Sequence, residues 1–233
     1  MARIPTPEDI YRFRIPTDPQ LSPGGERVAW TVQTVAPARD GYRHAIWSAP
    51  FDGSAAAVQL TIGSKHDSGP RFRPDGAALG FLSDRRLAVE EEPAAAKDRE
   101  DGVQVHVLPL DRPGEARRLT NLPRGVDEFA WSPDGARLAV VSSSHGSSVV
   151  EDARRRGRPT RPTAPGAPLT SDIHYVDRLR TQLNGAGWVY DKVSRLWVVD
   201  VATGEARLVH SGRTTLEDPV WSCLLYTSDA ADE

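Results

Sequence analysis

Serine, histidine and carboxylate side chains are the groups in this chain that could do hydrolytic chemistry, so their spacing is the first question. A serine nucleophile on an α/β scaffold needs Gly-x-Ser-x-Gly, because the serine must sit on a sharp strand-to-helix turn without bulky neighbours. The sequence has no such run. The nearest visual candidate, His145-Gly146-Ser147-Ser148, continues into Val149-Val150 and reads as a loop between strands. The six histidines, at 44, 66, 106, 145, 174 and 210, include no His-x-x-x-His pair and no carboxylate at ligand spacing. His66 is followed by Asp67, yet neighbours on an extended chain point to opposite sides. His106, between Val105 and Val107, shows one face of a strand. The single cysteine, Cys223, can make neither an internal disulfide nor a cysteine zinc site within one chain. No glycine-rich loop has Walker or Rossmann spacing. The expectation is therefore no catalytic residue, no metal ligand and no cofactor in this chain, with substrate-binding residues unassigned.

Two aspartates that could pass for catalytic groups, Asp75 and Asp134, sit in a recurring turn. The copies are QLSPGGERVAW (20–30), RFRPDGAALGF (71–81) and AWSPDGARLAV (130–140). Proline presets φ at the first corner, aspartate bonds back to the backbone, and glycine accepts the positive φ that returns the chain antiparallel. Each copy reads as a tight β-hairpin. A second unit follows each one: AIWSAPFDGSAAAVQLT (45–61), VQVHVLPLDRPGEARRLT (103–120) and RLWVVDVATGEARLVH (195–210). These are alternating strands around turns at Asp52-Gly53, residues 111–114 and Thr203-Gly204. Two hairpins make a four-stranded sheet, the size of one propeller blade.

The expected architecture is all-β: an incomplete β-propeller of about three four-stranded, WD40-like blades plus the start of a fourth, after a short N-terminal helix. Residues 1–17 form the N-terminal segment, where Thr6 is the N-cap, Pro7 the first helical residue, and Glu8 and Asp9 the acidic first turn. The partial propeller covers 18–222, with blades at about 18–62, 63–121 and 126–211. The third blade carries an insertion at about 143–192. Its Arg- and Pro-rich part, 154–168, reads as a surface loop, and its second part as a β-excursion turning at Asn184-Gly185 toward Trp188 and Tyr190. Residues 90–101 read as an exposed charged link. A fourth copy opens at Asp218-Pro219-Val220-Trp221-Ser222, and its proline is due at position 223.

At that position the pattern breaks. Residues 223–233, CLLYTSDAADE, resemble a translated mosaic-end sequencing adapter and are set aside as a probable non-native tail, so the natural protein is expected to continue past Ser222.

Composition narrows the function classes. With 29 basic against 32 acidic residues and a formal net charge of −3, there is no basic face for nucleic acid or an anionic membrane. The N-terminus lacks the charged and apolar regions of a secretory signal, and no apolar run reaches the length of a membrane span. A soluble cytoplasmic protein is expected.

The opening PEDIYRFRIPTDPQLSPGGERVAW, the repeated turns and DRLRTQLNGAGWVYDKVSRLWVVDVATGE (177–205) together resemble the propeller half of acylaminoacyl-peptidase-like and dipeptidyl-aminopeptidase-like members of the prolyl oligopeptidase family. The resemblance covers about residues 6–222. It implies a propeller that caps a C-terminal α/β-hydrolase domain and admits peptides while excluding folded proteins. It also implies a serine, histidine and aspartate in that domain, outside this chain, which would itself be inactive. The implied partners are that missing hydrolase domain and peptide substrates. The alternative is a TolB-like or WD40-like propeller that acts as a protein-interaction module.

Overall fold

In the computed structural model, residues 4, 6–64, 66–85, 102–122, 125–145, 182–183, 187–188, 192–210 and 216–222 are described. The Arg- and Pro-rich stretch, the charged link, His174 and residues 223–233 lie outside them.

The described residues form three four-stranded antiparallel sheets and one two-stranded pair. The first contains β1 (Arg14–Leu21), β2 (Arg27–Val35), β3 (Tyr42–Pro50) and β4 (Val58–Gln59). The second contains β5 (Ser68–Phe72), β6 (Ala78–Ser83), β7 (Gln104–Pro109) and β8 (Arg117–Arg118). In the third, β9 (Glu128–Trp131) and β10 (Arg137–His145) are joined by β13 (Lys192–Asp200) and β14 (Ala206–His210). Between β10 and β13 in the chain lies a separate antiparallel pair, β11 (Gln182–Leu183) with β12 (Gly187–Trp188), while the expected turn at Asn184-Gly185 lies outside the described residues. The register from Arg137↔Asp200 to His145↔Lys192 is unbroken, so the insertion leaves from the end of a complete hairpin without disturbing it.

The N-terminal helix is a six-residue 3₁₀ helix, Pro7–Arg12. The Thr6 N–H donates to Asp9 Oδ2 at 2.8 Å and the Asp9 N–H returns to the Thr6 carbonyl. Phe13 then leaves in extended geometry toward β1. The start signals fix where a helix begins, and the strand that follows limits its length.

Each first hairpin closes as its sequence dictates. Gly25, Gly76 and Gly135 have φ of 78°, 74° and 66°, and each donates its N–H to the residue three before it. Asp75 and Asp134 accept the N–H of Ala77 and Ala136 at 2.9 and 3.0 Å. The Arg73 guanidinium holds the Asp75 carboxyl below the usual range, and the Ser132 hydroxyl does the same for Asp134. Both aspartates are spent on turn geometry.

Stacking of the sheets buries both faces of the middle strands, which explains why ALGFLS and QVHVLP read as nearly continuous apolar runs. One core lies between the first two sheets, with Ala29 and Ile46 against Leu79 and Phe81. A larger one joins the second and third, with Val105, Val107 and Leu119 against Phe129, Leu138, Val140 and Val199. Gly80 marks a close approach, since a Cβ there would lie 2.8 Å from Phe129 and 3.1 Å from Trp131.

The last strand of the first two sheets has only two paired residues, and a buried threonine continues its work. Thr61 Oγ1 accepts the Ile46 N–H at 3.0 Å, and Thr120 Oγ1 accepts the Val105 N–H at 2.9 Å while donating to Gln104 Oε1. Both side chains are buried. Thr120→Val keeps the shape and strands the Val105 N–H, while Gln104 Oε1 still accepts the Leu122 N–H at 3.1 Å, so it is expected to cost about 2 kcal/mol, read as a lowered midpoint in urea unfolding. An unchanged midpoint would show that water reaches that N–H.

Candidate functional site

The first strands of the sheets, β1, β5 and β9, lie side by side, and residues 218–220 extend the row. Together they wall a cavity of about 620 Å³. Its polar lining is Asp18, Gln20, Arg71, Asp127, Glu128 and Asp218, and its apolar lining includes Phe72, Phe129 and Trp131.

A shared local geometry aims these groups. Asp18, Gly69 and Asp218 occupy equivalent positions, each followed by proline, and all three take the left-handed conformation, with φ of 51°, 64° and 51°. Aspartate and glycine are the residues that accept it at low cost. In β1 and β5 this coincides with a register shift, between Thr17 and Gln20 and between Ser68 and Arg71. A bulge leaves one residue unpaired and re-aims its side chain, here across the gap between sheets. The Arg71 guanidinium donates to Asp18 Oδ2 at 2.7 Å and to its own neighbour, the Pro70 carbonyl, at 2.8 Å. Both partners are about a third exposed, so the pair is worth under about 1 kcal/mol and serves to set register between blades.

A tryptophan rung repeats along the same wall. Trp131 Nε1 donates to the Arg71 carbonyl at 3.0 Å, and Trp221 Nε1 donates to the Ala130 carbonyl at 3.1 Å. Positions 71 and 130 are equivalent in the repeat, so residues 216–222 sit on the third sheet as the third sits on the second. The Asp218 N–H adds a 2.6 Å bond to Glu128 Oε2.

The described histidines lie elsewhere. His44 and His66 meet at the junction of the first two sheets with ring centroids 5.3 Å apart, and His66 Nδ1 lies 2.8 Å from Asp84 Oδ2. Burial, followed by the neighbouring His66, lowers the His44 pKa. Asp67 turns away from His66 and instead accepts the Ser83 hydroxyl and the Arg85 guanidinium, both at 2.6 Å. With no imidazole between Ser83 and Asp67, this is a structural network rather than a nucleophile and its base. His106 is fully buried against Phe81, and His210 is exposed at the end of β14. His145 lies at the end of β10, while Ser147 and Ser148 are outside the described residues. Among the described residues no cluster of histidines, cysteines and carboxylates has metal-binding geometry, and no helix is long and apolar enough to cross a membrane.

The sequence reading located the turns and missed this wall. Its signal was present: Asp18-Pro19, Gly69-Pro70 and Asp218-Pro219 each stand three residues before the repeat's leucine or aromatic residue, counted from the aspartate or glycine.

Known proteins place this geometry. No family model matches the sequence. The chain is 30% identical over 223 residues to the uncharacterized peptidase YuxL of Bacillus subtilis (strain 168), covering 95% of this chain and 30% of that protein. A 33% match over 106 residues, 43% of this chain and 8% of the relative, links it to a putative tricorn protease homolog 2 of Streptomyces coelicolor. Among solved structures, the acylaminoacyl peptidase of Pyrococcus horikoshii superposes with a TM-score of 0.57 at 16% identity, over 85% of this chain and 25% of that one. The AtxE2 isopeptidase superposes with a TM-score of 0.52 at 17% identity, over 82% and 28%. The chain thus spans less than a third of the length of these relatives.

Proposed function

We propose that this chain is a peptidase-type β-propeller of the prolyl oligopeptidase family, the non-catalytic, N-terminal part of a cytoplasmic serine peptidase, where it restricts which peptides reach a C-terminal α/β-hydrolase domain. The observation that carries this reading is the wall of β1, β5, β9 and residues 218–220 around one cavity, with the bulge repeated in β1 and β5 and the tryptophan rung repeated at Trp131 and Trp221. Such a wall bounds a passage rather than a closed pocket, and its width depends on the number of blades that complete the ring. The hydrolase domain would supply the serine nucleophile, the histidine base and the aspartate that orients it. The propeller's part is steric and electrostatic: to admit an extended chain past Arg71, Glu128 and Trp131 and to exclude folded protein.

Sequencing the source DNA past the codon for Ser222 tests the assignment. Further blades followed by Gly-x-Ser-x-Gly support it, and a gene that ends after blades alone overturns it. In the full-length protein, Arg71→Trp is expected to lower kcat/KM for peptides of about ten residues at least fivefold while sparing a small chromogenic ester. Equal loss for both substrates, or for neither, would remove the gating role.

A further inference from the structure

At the rim formed by the hairpin turns, the junction of the second and third sheets is bridged by a side chain that the junction of the first and second lacks. In the bridged junction, Arg117 on β8 reaches the next sheet and donates to the Val201 carbonyl at 2.9 Å. Val201 is 8% exposed. A Cβ at Gly135 would lie 2.9 Å from the Arg73 side chain, so the two turns touch. Register identifies the equivalent residues in the other junction: Ser48↔Val58 corresponds to Val107↔Arg117. Likewise Leu110 corresponds to Val201, because their N–H groups donate to Ala77 and Ala136 at matching positions after the turn.

Valine at 58 cannot do what Arg117 does. It is 50% exposed, Leu110 is only half-buried, and a Cβ at Gly76 would be 4.0 Å from Pro23, against 3.6 Å between the matching Gly135 and Pro74. Beside the Leu110 carbonyl lies a cleft of about 770 Å³, floored by Leu60, Phe72, Leu108 and Leu110 with Glu26, Asp75 and Asp111 on its rim, Asp75 being paired with Arg73. Arg27, on the same rim, is turned to the Ser48 hydroxyl. Arg112 stands beside Asp111.

We infer that this cleft is a docking site for an arginine side chain on an extended segment of a protein or peptide partner, whose guanidinium takes the place that Arg117 fills one junction along. The guanidinium would donate to the Leu110 carbonyl beside the Asp111 carboxylate. Its methylene stem would lie over Leu60 and Leu108, as long basic side chains do when the charged end stays at the rim. A planar, five-donor fork suits a carbonyl next to a carboxylate better than an ammonium does. The partner's flanking apolar residue would cover Phe72, continuing the core between the two sheets.

Fluorescence anisotropy on the intact chain with a labelled acetyl-Leu-Arg-Leu-Gly-amide tests this, with lysine and glutamine at the second position as controls. The expected result is binding of the arginine peptide at least tenfold tighter than the glutamine peptide, with lysine between. Val58→Arg supplies the guanidinium from within, so it is expected to abolish peptide binding and to hold or raise the melting temperature. Should Val58→Arg fail to fold, Asp111→Asn, at an exposed position, is expected to weaken the arginine peptide at least threefold and leave the glutamine peptide unchanged. Equal binding of the three peptides, no binding of any, or full binding to both variants would overturn the inference.

Discussion

Gly125→Ala is expected to destabilise the propeller by about 3 kcal/mol, from roughly 1–2 for a side chain in the left-handed region and about 1–3 for forced overpacking. Gly125 sits at φ 77° between the second and third sheets, and a Cβ there would lie 2.7 Å from the Cα and carbonyl carbon of Gly102 and from the Val103 oxygen. All three atoms are backbone, so no rotamer change relieves the clash. The surroundings are also pinned. Gly125 donates to the Leu122 carbonyl at 3.0 Å, Val126 donates to the Val103 carbonyl at 2.6 Å, and the Ser142 hydroxyl donates to the Gly125 carbonyl at 2.5 Å. Gly25 is the internal control. It has φ 78° but open space where the Cβ would go, so Gly25→Ala is expected to cost only about 1 kcal/mol. Urea unfolding of both variants separates the two terms, and equal midpoints would mean that the crossover between sheets yields easily.

The contrast between these two glycines shows which parts of the fold the sequence displays. Gly25 belongs to a motif whose residues act on one another within a few positions: proline, a small or acidic residue, glycine, then an alternating strand. Such chemistry is local, so the turns, the two-hairpin unit and the repeated sheets can be read directly. Gly125 acts through Gly102 and Val103 across a change of sheet, and nothing near it in the chain announces that contact. The cavity wall is of the same kind. Asp18 and Arg71 are far apart in sequence and meet because successive sheets stack. The local part of that signal, aspartate or glycine before proline, recurs with the repeat but carries no meaning until the left-handed geometry is seen.

Thr61 and Thr120 are an intermediate case. Leu-Thr closes the first two outer units at the same place, yet a threonine at the end of a strand pattern reads as ordinary β propensity. Its role as a substitute rung needs the knowledge that the fourth strand is only two paired residues long. The helix is short, as its sequence led one to expect, but where it ends was not legible for a related reason, because capping residues mark an entry and the exit is decided by where β1 must pair.

Stability between pH 6.5 and about 4 is expected to fall by up to about 3 kcal/mol through His106 alone, at 1.36 kcal/mol per unit of displacement. Burial pushes its pKa down from 6.5 to about 4, the Gln104 carbonyl at its Nδ1 opposes the shift, Arg85 and Arg118 reinforce it, and Asp67 opposes it again. The ring stacks 5.8 Å from Phe81, and its Nε2 has no hydrogen-bond partner in the fold. A group whose folded pKa is depressed in this direction is held neutral by the native state, while the unfolded chain takes up its proton first. Stability is therefore complete above pH 6.5 and declines toward pH 4. The turn aspartates, also held below their ordinary pKa, lose their contribution only further down, as the pH falls through their lowered values. The repeat suggests the variant that isolates His106, because its equivalents by register are Trp47 and Trp197, so the position accepts an aromatic ring. His106→Phe keeps the stack on Phe81 and cannot charge. The difference in unfolding free energy between pH 7 and pH 4.5 is expected to shrink by about 2 kcal/mol in this variant, and parallel pH profiles for the two proteins would show that the proton goes elsewhere.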